Sequence, residues 1–169
     1  LLLSFVKVIY LLSATPSFAF INRTIPWITL PSSLHLFLSR PWTLFTFMFV
    51  DVSFWHVAAN MLWLWWFGGI LQDFAGYEKV VPLYLYGGLA GAIIFLLFYS
   101  IFPFSYVWFE AGASASIMAI VFATTLLSPD YRVFPMLRGG IPLWVITILF
   151  VVVDLAGISI EEILTDQAF

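Results

Sequence analysis

The sequence contains no cysteine and very little charge, and both shortages narrow its class. Without cysteine the chain has no disulfide framework and no thiol chemistry, so the redox compartment stays open. Only 9% of the residues are charged, compared with about 25% in an ordinary soluble domain, and 63% are hydrophobic. The net charge of −3 offers no basic patch to nucleic acid. Such a chain cannot build a normal water-facing surface, and its long apolar stretches indicate membrane spans.

Histidine is also scarce, which limits metal chemistry. The chain has two histidines, His35 and His56, and no carboxylate or thiol stands at ligand spacing to join them. We therefore predict no metal site and no cofactor. His35 lies in the segment PSSLHLF, and we interpret it as an interfacial residue and not a catalytic one.

Apolar segments separated by short polar turns predict an all-α fold, a polytopic membrane helical bundle formed by one domain over residues 1–169. Residues 15–52 are rich in aromatics and contain four prolines, so they predict short interfacial pieces instead of a spanning helix. Gly87 and Gly91 stand at G-x-x-x-G spacing and predict a close helix–helix contact. The predicted spans are residues 1–14, 53–71, 80–102, 112–128 and 141–158.

The two ends of the chain predict a fragment. The sequence begins LLLSFVKVIY without an initiating Met and stops at EEILTDQAF, just after an apolar segment. We expect the domain to be incomplete at both ends.

Two polar residues stand out in the second apolar segment. His56 and Asn60 are four residues apart, so they lie one turn apart on a single helical face. Together they supply neighbouring hydrogen-bond donors of the kind that a developing oxyanion needs in a dry site. The alternative is an interhelical hydrogen bond that only holds the bundle together.

A serine-rich break, EAGASASIMA, opens the fourth apolar segment. Gly112 and the alanines beside it leave space around Ser114, which falls in the first turn of its helix, where free N–H groups point towards an incoming anion. We interpret Ser114 as the candidate nucleophile and Ser116 as a packing residue, although a lone serine in a membrane helix usually only bonds the preceding turn. Asp154, in the last apolar segment, receives no predicted role.

The order His56, Asn60, then Gly112 and Ser114, resembles rhomboid intramembrane serine proteases. The stretch SRPWTLFTFMFVDVSFWHVAANMLWLWWFGGIL and the GAS sequence before the fourth helix are similar to the family's as well. The resemblance implies a six-helix core, of which five helices are present here, that cleaves transmembrane protein substrates within or next to their spans. It also implies that Ser114 is the nucleophile and that His56, Asn60 and the Ser114 backbone N–H form the oxyanion hole.

Two departures from the family pattern affect the expected activity. Ala115 stands where the family usually has Gly after the nucleophile. The family's base is a His on the sixth helix, and residues 1–169 contain no His after His56; a serine hydroxyl without a base is a poor nucleophile. We therefore expect residues 1–169 alone to be inactive. The alternative is a pseudoprotease that binds membrane clients without cleaving them. We expect a multi-pass protein of a bacterial inner membrane.

Overall fold

The computed structural model describes residues 25–51, 54–102, 109–133 and 140–166. The predicted first span and the beginning of the aromatic segment lie outside these residues. In the last helix, side chains are described as far as Asp154.

The aromatic segment consists of short pieces, as predicted, because prolines interrupt it. A 3-10 helix at Ile25–Trp27 precedes the strand β1, Leu30–Pro31; the helices α1, Leu34–Ser39, and α2, Thr43–Thr46, follow, and a 3-10 helix, Phe47–Phe49, ends the segment. The rings of Trp27 and Trp42 stack with their centroids 6.0 Å apart. The Arg40 guanidinium lies 4.4 Å from the centroid of the Trp27 ring. These contacts tie the two halves of the segment together.

Four longer helices occupy most of the remaining described residues. The helices are α3, Phe54–Ala75; α4, Val80–Ile101; α5, Ser114–Leu127; and α6, Leu143–Asp166. The predicted all-α bundle is confirmed, with each helix on a predicted apolar segment.

Two helix ends differ from the prediction. The prediction ended α3 at residue 71, but the helix continues to Ala75. Gly76, with φ +86°, stops it, and the Gly76 N–H donates to the Gln72 carbonyl over 2.9 Å. The end is therefore set by a left-handed glycine and not by the first polar side chains. The helix α6 runs to Asp166, eight residues beyond the predicted end.

The helix α5 is the centre of the bundle, where it packs against α4, α3 and α6. Its contact with α4 is close because glycines of α4 face small residues of α5. A Cβ on Gly91 would lie 2.6 Å from the Ala115 Cβ, and a Cβ on Gly87 would overlap Ala119. The G-x-x-x-G prediction is confirmed by this contact.

Two short antiparallel ladders connect the loops. The strand β1 pairs with β2, Phe109–Glu110, with Leu30 opposite Glu110. The strands β3, Arg132–Val133, and β4, Ile141–Pro142, pair between α5 and α6. The β1–β2 ladder joins the aromatic segment to the chain just before α5.

The distribution of side chains is that of a membrane protein. Large apolar side chains such as Tyr86, Ile94 and Leu97 of α4 are exposed, whereas polar side chains such as Asn60 and Thr124 are buried. One helical stretch of the described residues, Tyr77–Ile101, is long and apolar enough to cross a membrane, with a mean hydropathy of 2.1 and only 22% of its most apolar part buried. Shorter apolar helices lie at Ser114–Leu127 and Leu143–Asp154.

Candidate active site

Ser114 is the first residue of α5, and the backbone before it has a conformation that only glycine adopts readily. Gly112 has φ +128°, and its N–H donates to the Phe47 carbonyl over 3.0 Å. This bond fixes the turn into α5 against the end of the aromatic segment. The predicted position of Ser114 in the first helical turn is confirmed, and the N-terminal N–H groups of α5 lie next to its hydroxyl.

The Ser114 hydroxyl donates a hydrogen bond to a carboxylate of α6. The Ser114 Oγ lies 2.7 Å from the Asp154 Oδ1. Both side chains are partly buried, and a hydrogen bond to an ionised acceptor is about twice as strong as one between neutral groups. Asp154, which the sequence left without a role, is therefore a direct partner of the candidate nucleophile.

His56 and Asn60 lie on one face of α3, as predicted, and both reach the same oxygen atom. The His56 Nδ1 is 2.8 Å from the Asp51 Oδ2, and the Asn60 Nδ2 donates to that oxygen over 3.4 Å. Asn60 is almost completely buried, with 3% of its surface exposed. The two predicted donors thus do converge on one point, and in this structure a carboxylate oxygen of the chain occupies it.

Gly112 brings the two halves of the site together. A Cβ built on Gly112 would lie 3.7 Å from the His56 Cε1 and 3.8 Å from the Asp51 Oδ2. Gly112 therefore touches the His56 network on one side and leads directly into Ser114 on the other.

An apolar cavity of about 320 Å³ opens next to Ser114. Its walls come from α4, from the end of the aromatic segment and from the start of α5. The lining residues are Phe47, Gly91, Ile94, Phe95, Phe98, Tyr99, Gly112, Ser114 and Ala115. A segment of polypeptide with apolar side chains has room to approach the Ser114 hydroxyl there.

The small residues after Ser114 belong to the helix contact. Ser116 is buried, and a Cβ on Gly88 would overlap its hydroxyl, so the interpretation of Ser116 as a packing residue is confirmed. Ala115 faces Gly91 across the same contact. The methyl group that replaces the family's usual glycine is therefore accommodated by a glycine on the opposite helix.

Asp51 is the residue of this site that the sequence analysis missed. It is a lone charge in the apolar stretch FMFVDVSFW, five residues before His56. A charge in such a stretch is costly unless it has partners. The position of Asp51 in this stretch was therefore the sequence signal that it binds other polar groups. Among the described residues, no group of three or more His, Cys, Asp or Glu side chains is placed to hold a metal ion.

Comparison with known proteins finds a matching family and a similar protein. The model of a protein family described as "Rhomboid domain" matches residues 38–167. The chain is 28% identical over 117 residues to "Rhomboid protein 1, mitochondrial" of Saccharomyces cerevisiae, an alignment that covers 67% of this chain and 33% of that protein. The chain therefore spans about a third of the length of this relative. No solved structure matches the chain at a significant level.

Proposed function

The chain belongs to the rhomboid family of integral membrane proteins, and we propose that it forms the core of an intramembrane serine endopeptidase. The substrates are transmembrane proteins, cut within or next to their spans. The family assignment supports the coarse function, an intramembrane protease or a non-cleaving relative of one. The residues of the site support the protease.

The observation that carries the proposal is the setting of Ser114. Its hydroxyl begins α5, donates to the Asp154 carboxylate over 2.7 Å and borders the apolar cavity. A serine or threonine inside a helix usually bonds the carbonyl one turn back. Thr124 does so in the middle of α5, where its hydroxyl donates to the Ile120 carbonyl over 2.6 Å. Ser114 is instead directed at an ionisable group beside a space for substrate.

In the proposed reaction the Ser114 Oγ attacks the carbonyl carbon of the scissile peptide bond. The carbonyl oxygen becomes an oxyanion, which the side chains of His56 and Asn60 and the Ser114 backbone N–H stabilise. Donors fixed in advance in a dry site act strongly on such a charge, and loss of one typically lowers kcat by about 10²–10³-fold. Gly112 gives the backbone the turn that brings the two sets of groups together.

The hydroxyl proton must leave as the new bond forms. The resemblance assigns this proton to a His on a sixth helix, and residues 1–169 hold no histidine beyond His56. In the resting site Asp154 accepts the hydrogen bond of the Ser114 hydroxyl and so fixes the Ser114 rotamer. We therefore predict that residues 1–169 alone do not cleave substrate at a useful rate, since a serine without a base is a weak nucleophile.

The kind of membrane is a separate prediction. The sequence suggested a bacterial inner membrane, but the relative described above is mitochondrial by name. The bacterial assignment gains no support from it, and the proposal here extends only to an integral, multi-pass membrane protein.

The test is a cleavage assay in lipid vesicles with a fluorogenic transmembrane peptide. The product of the complete reading frame that encodes residues 1–169 is compared with its Ser114→Ala variant and with residues 1–169 alone. We expect cleavage by the complete product, no cleavage by Ser114→Ala, and none by residues 1–169. Ser128→Ala is the matched control, because that serine follows the far end of α5 and its loss should leave the rate unchanged.

Three outcomes would contradict parts of the proposal. Cleavage by Ser114→Ala at the original rate would remove Ser114 from the chemistry. Retention of the transmembrane peptide without cleavage by the complete product would favour the pseudoprotease. Ser114-dependent cleavage by residues 1–169 would show that the chain needs no further base.

A further inference from the structure

The carboxylate of Asp51 has a specific place in the candidate site. Its Oδ2 accepts from both His56 and Asn60, and the Asp51 side chain is only 9% exposed, compared with 41% for His56. We propose that Asp51 is a positioning residue that fixes the ring of His56 and the amide of Asn60 for the reaction at Ser114. This inference rests on the proposed function for its catalytic part, but not for its structural part.

The contact with Asp51 distinguishes the two nitrogens of the His56 ring. A carboxylate oxygen accepts a hydrogen bond and cannot donate one when ionised, so the nitrogen that faces it carries the proton. With Nδ1 at 2.8 Å from Asp51, the proton is on Nδ1, and Nε2 carries none while the ring is neutral. An Asp that holds a His ring in one tautomer and orientation in this way is well known from serine proteases of other folds.

The Asp51 carboxylate also balances the charge of the His56 ring. While the proton stays on Nδ1, the neutral ring presents Nε2 as an acceptor, and Nε2–H becomes a donor only when the ring is doubly protonated. The Asp51 carboxylate offsets the positive charge of that ring at close range, so the Asp51–His56 pair has no net charge. Asp51 thereby allows His56 to donate to an oxyanion from Nε2 while its Nδ1–H stays bonded to the protein.

Asn60 is the second side chain that Asp51 orients. Its amide is buried, and a buried amide needs partners. The shared oxygen of Asp51 turns the Asn60 Nδ2 towards His56, and Gly112 lies against the same oxygen at 3.8 Å from its Cβ position. One carboxylate therefore orients both donors next to the backbone that leads into Ser114.

The first experiment reads the His56 ring directly and needs no cleavage. Histidine labelled with ¹⁵N is incorporated into the complete gene product in vesicles, and the signals that disappear in His56→Gln are assigned to His56. We expect the His56 Nδ1 to be protonated in the wild type and the ring to redistribute its proton in Asp51→Leu. Asp73→Asn is the control, because Asp73 is an exposed carboxylate near the end of α3. Unchanged His56 signals in Asp51→Leu would overturn the proposal.

The second experiment uses Asp51→Asn, which keeps the size of the side chain and one acceptor oxygen. In the complete gene product we expect kcat to fall on the order of tenfold, less than for loss of an oxyanion donor, with KM little changed. An unchanged or increased kcat would overturn the proposal, because an increase would mean that the carboxylate only blocks the donors. If the complete product shows no Ser114-dependent cleavage, the ¹⁵N experiment still tests whether Asp51 positions the His56 ring.

Discussion

Exchange of a single methyl group across the α4–α5 contact tests the packing that places Ser114. In Gly91→Ala a new Cβ would lie 2.6 Å from the Ala115 Cβ. In Ala115→Gly that methyl is removed, and in the double variant it moves from one helix to the other. The reference variant is Gly69→Ala in α3, where a new Cβ meets nothing within 4 Å.

The expected magnitudes follow from this distance. Carbon atoms prefer a separation of about 3.5–4.0 Å, so the helices must move apart by roughly 1 Å or deform, and such overpacking typically costs about 1–3 kcal/mol. Replacement of a helical glycine by alanine itself stabilises a helix by about 0.5–1 kcal/mol, and this gain is common to Gly91→Ala and Gly69→Ala. Gly91→Ala should therefore be about 1–3 kcal/mol less stable than Gly69→Ala. The double variant should return to within about 0.5 kcal/mol of the wild type, because the methyl count in the contact is unchanged.

The assay is the free energy of unfolding in mixed micelles, followed by the fluorescence of the eight tryptophans. The wild type and all four variants are titrated with denaturing detergent under the same conditions. The reasoning is refuted if Gly91→Ala is as stable as Gly69→Ala, or if the double variant is no more stable than Gly91→Ala. Either result would mean that α4 and α5 do not approach as closely as the structure places them.

Three further predictions concern the site and its support. Gly112→Ala should cost about 1–3 kcal/mol through its left-handed backbone and abolish cleavage, whereas Gly76→Ala, at φ +86° in open space, should lower stability in detergent titrations but keep the rate per folded molecule. Asp154→Asn should lower kcat by about tenfold, because the weaker bond from the Ser114 hydroxyl fixes the Ser114 rotamer less firmly; an unchanged kcat would argue against this positioning role. Tyr84→Phe removes a hydroxyl that donates over 2.7 Å to a buried carbonyl and should cost about 1–3 kcal/mol of unfolding free energy, which the detergent titration measures; no loss would mean that water reaches this carbonyl.

The parts of the site that the sequence predicted are those encoded within one helix. The spacing of His56 and Asn60 sets their common face, and the small residues around Ser114 mark both an accessible hydroxyl and a close helix contact. Periodicity and side-chain size are local properties, so they can be read without the fold. The same holds for the short pieces of the aromatic segment, since proline limits helix length wherever it occurs.

The carboxylates were harder to place because their roles depend on pairs that are distant in sequence or in an unexpected register. Asp154 is 40 residues from Ser114, and only the packing of α6 against α5 brings them together. Asp51 lies outside the helical face that His56 and Asn60 share, so spacing alone does not connect it to them. Helix ends were missed for a related reason, since the end of α3 follows from the backbone of Gly76 and not from polarity.

The two-residue β1–β2 ladder has a consequence for the order of folding. It closes a chain of about 80 residues that contains α3 and α4, and closing such a loop costs about 4 kcal/mol of chain entropy. Two residue pairs cannot supply that alone, so the ladder must form together with or after the packing of α3 and α4 on α5. During synthesis, β1 therefore stays unpaired until α5, which follows Glu110, has been made. The approach to Ser114 is therefore completed only after these helices have packed.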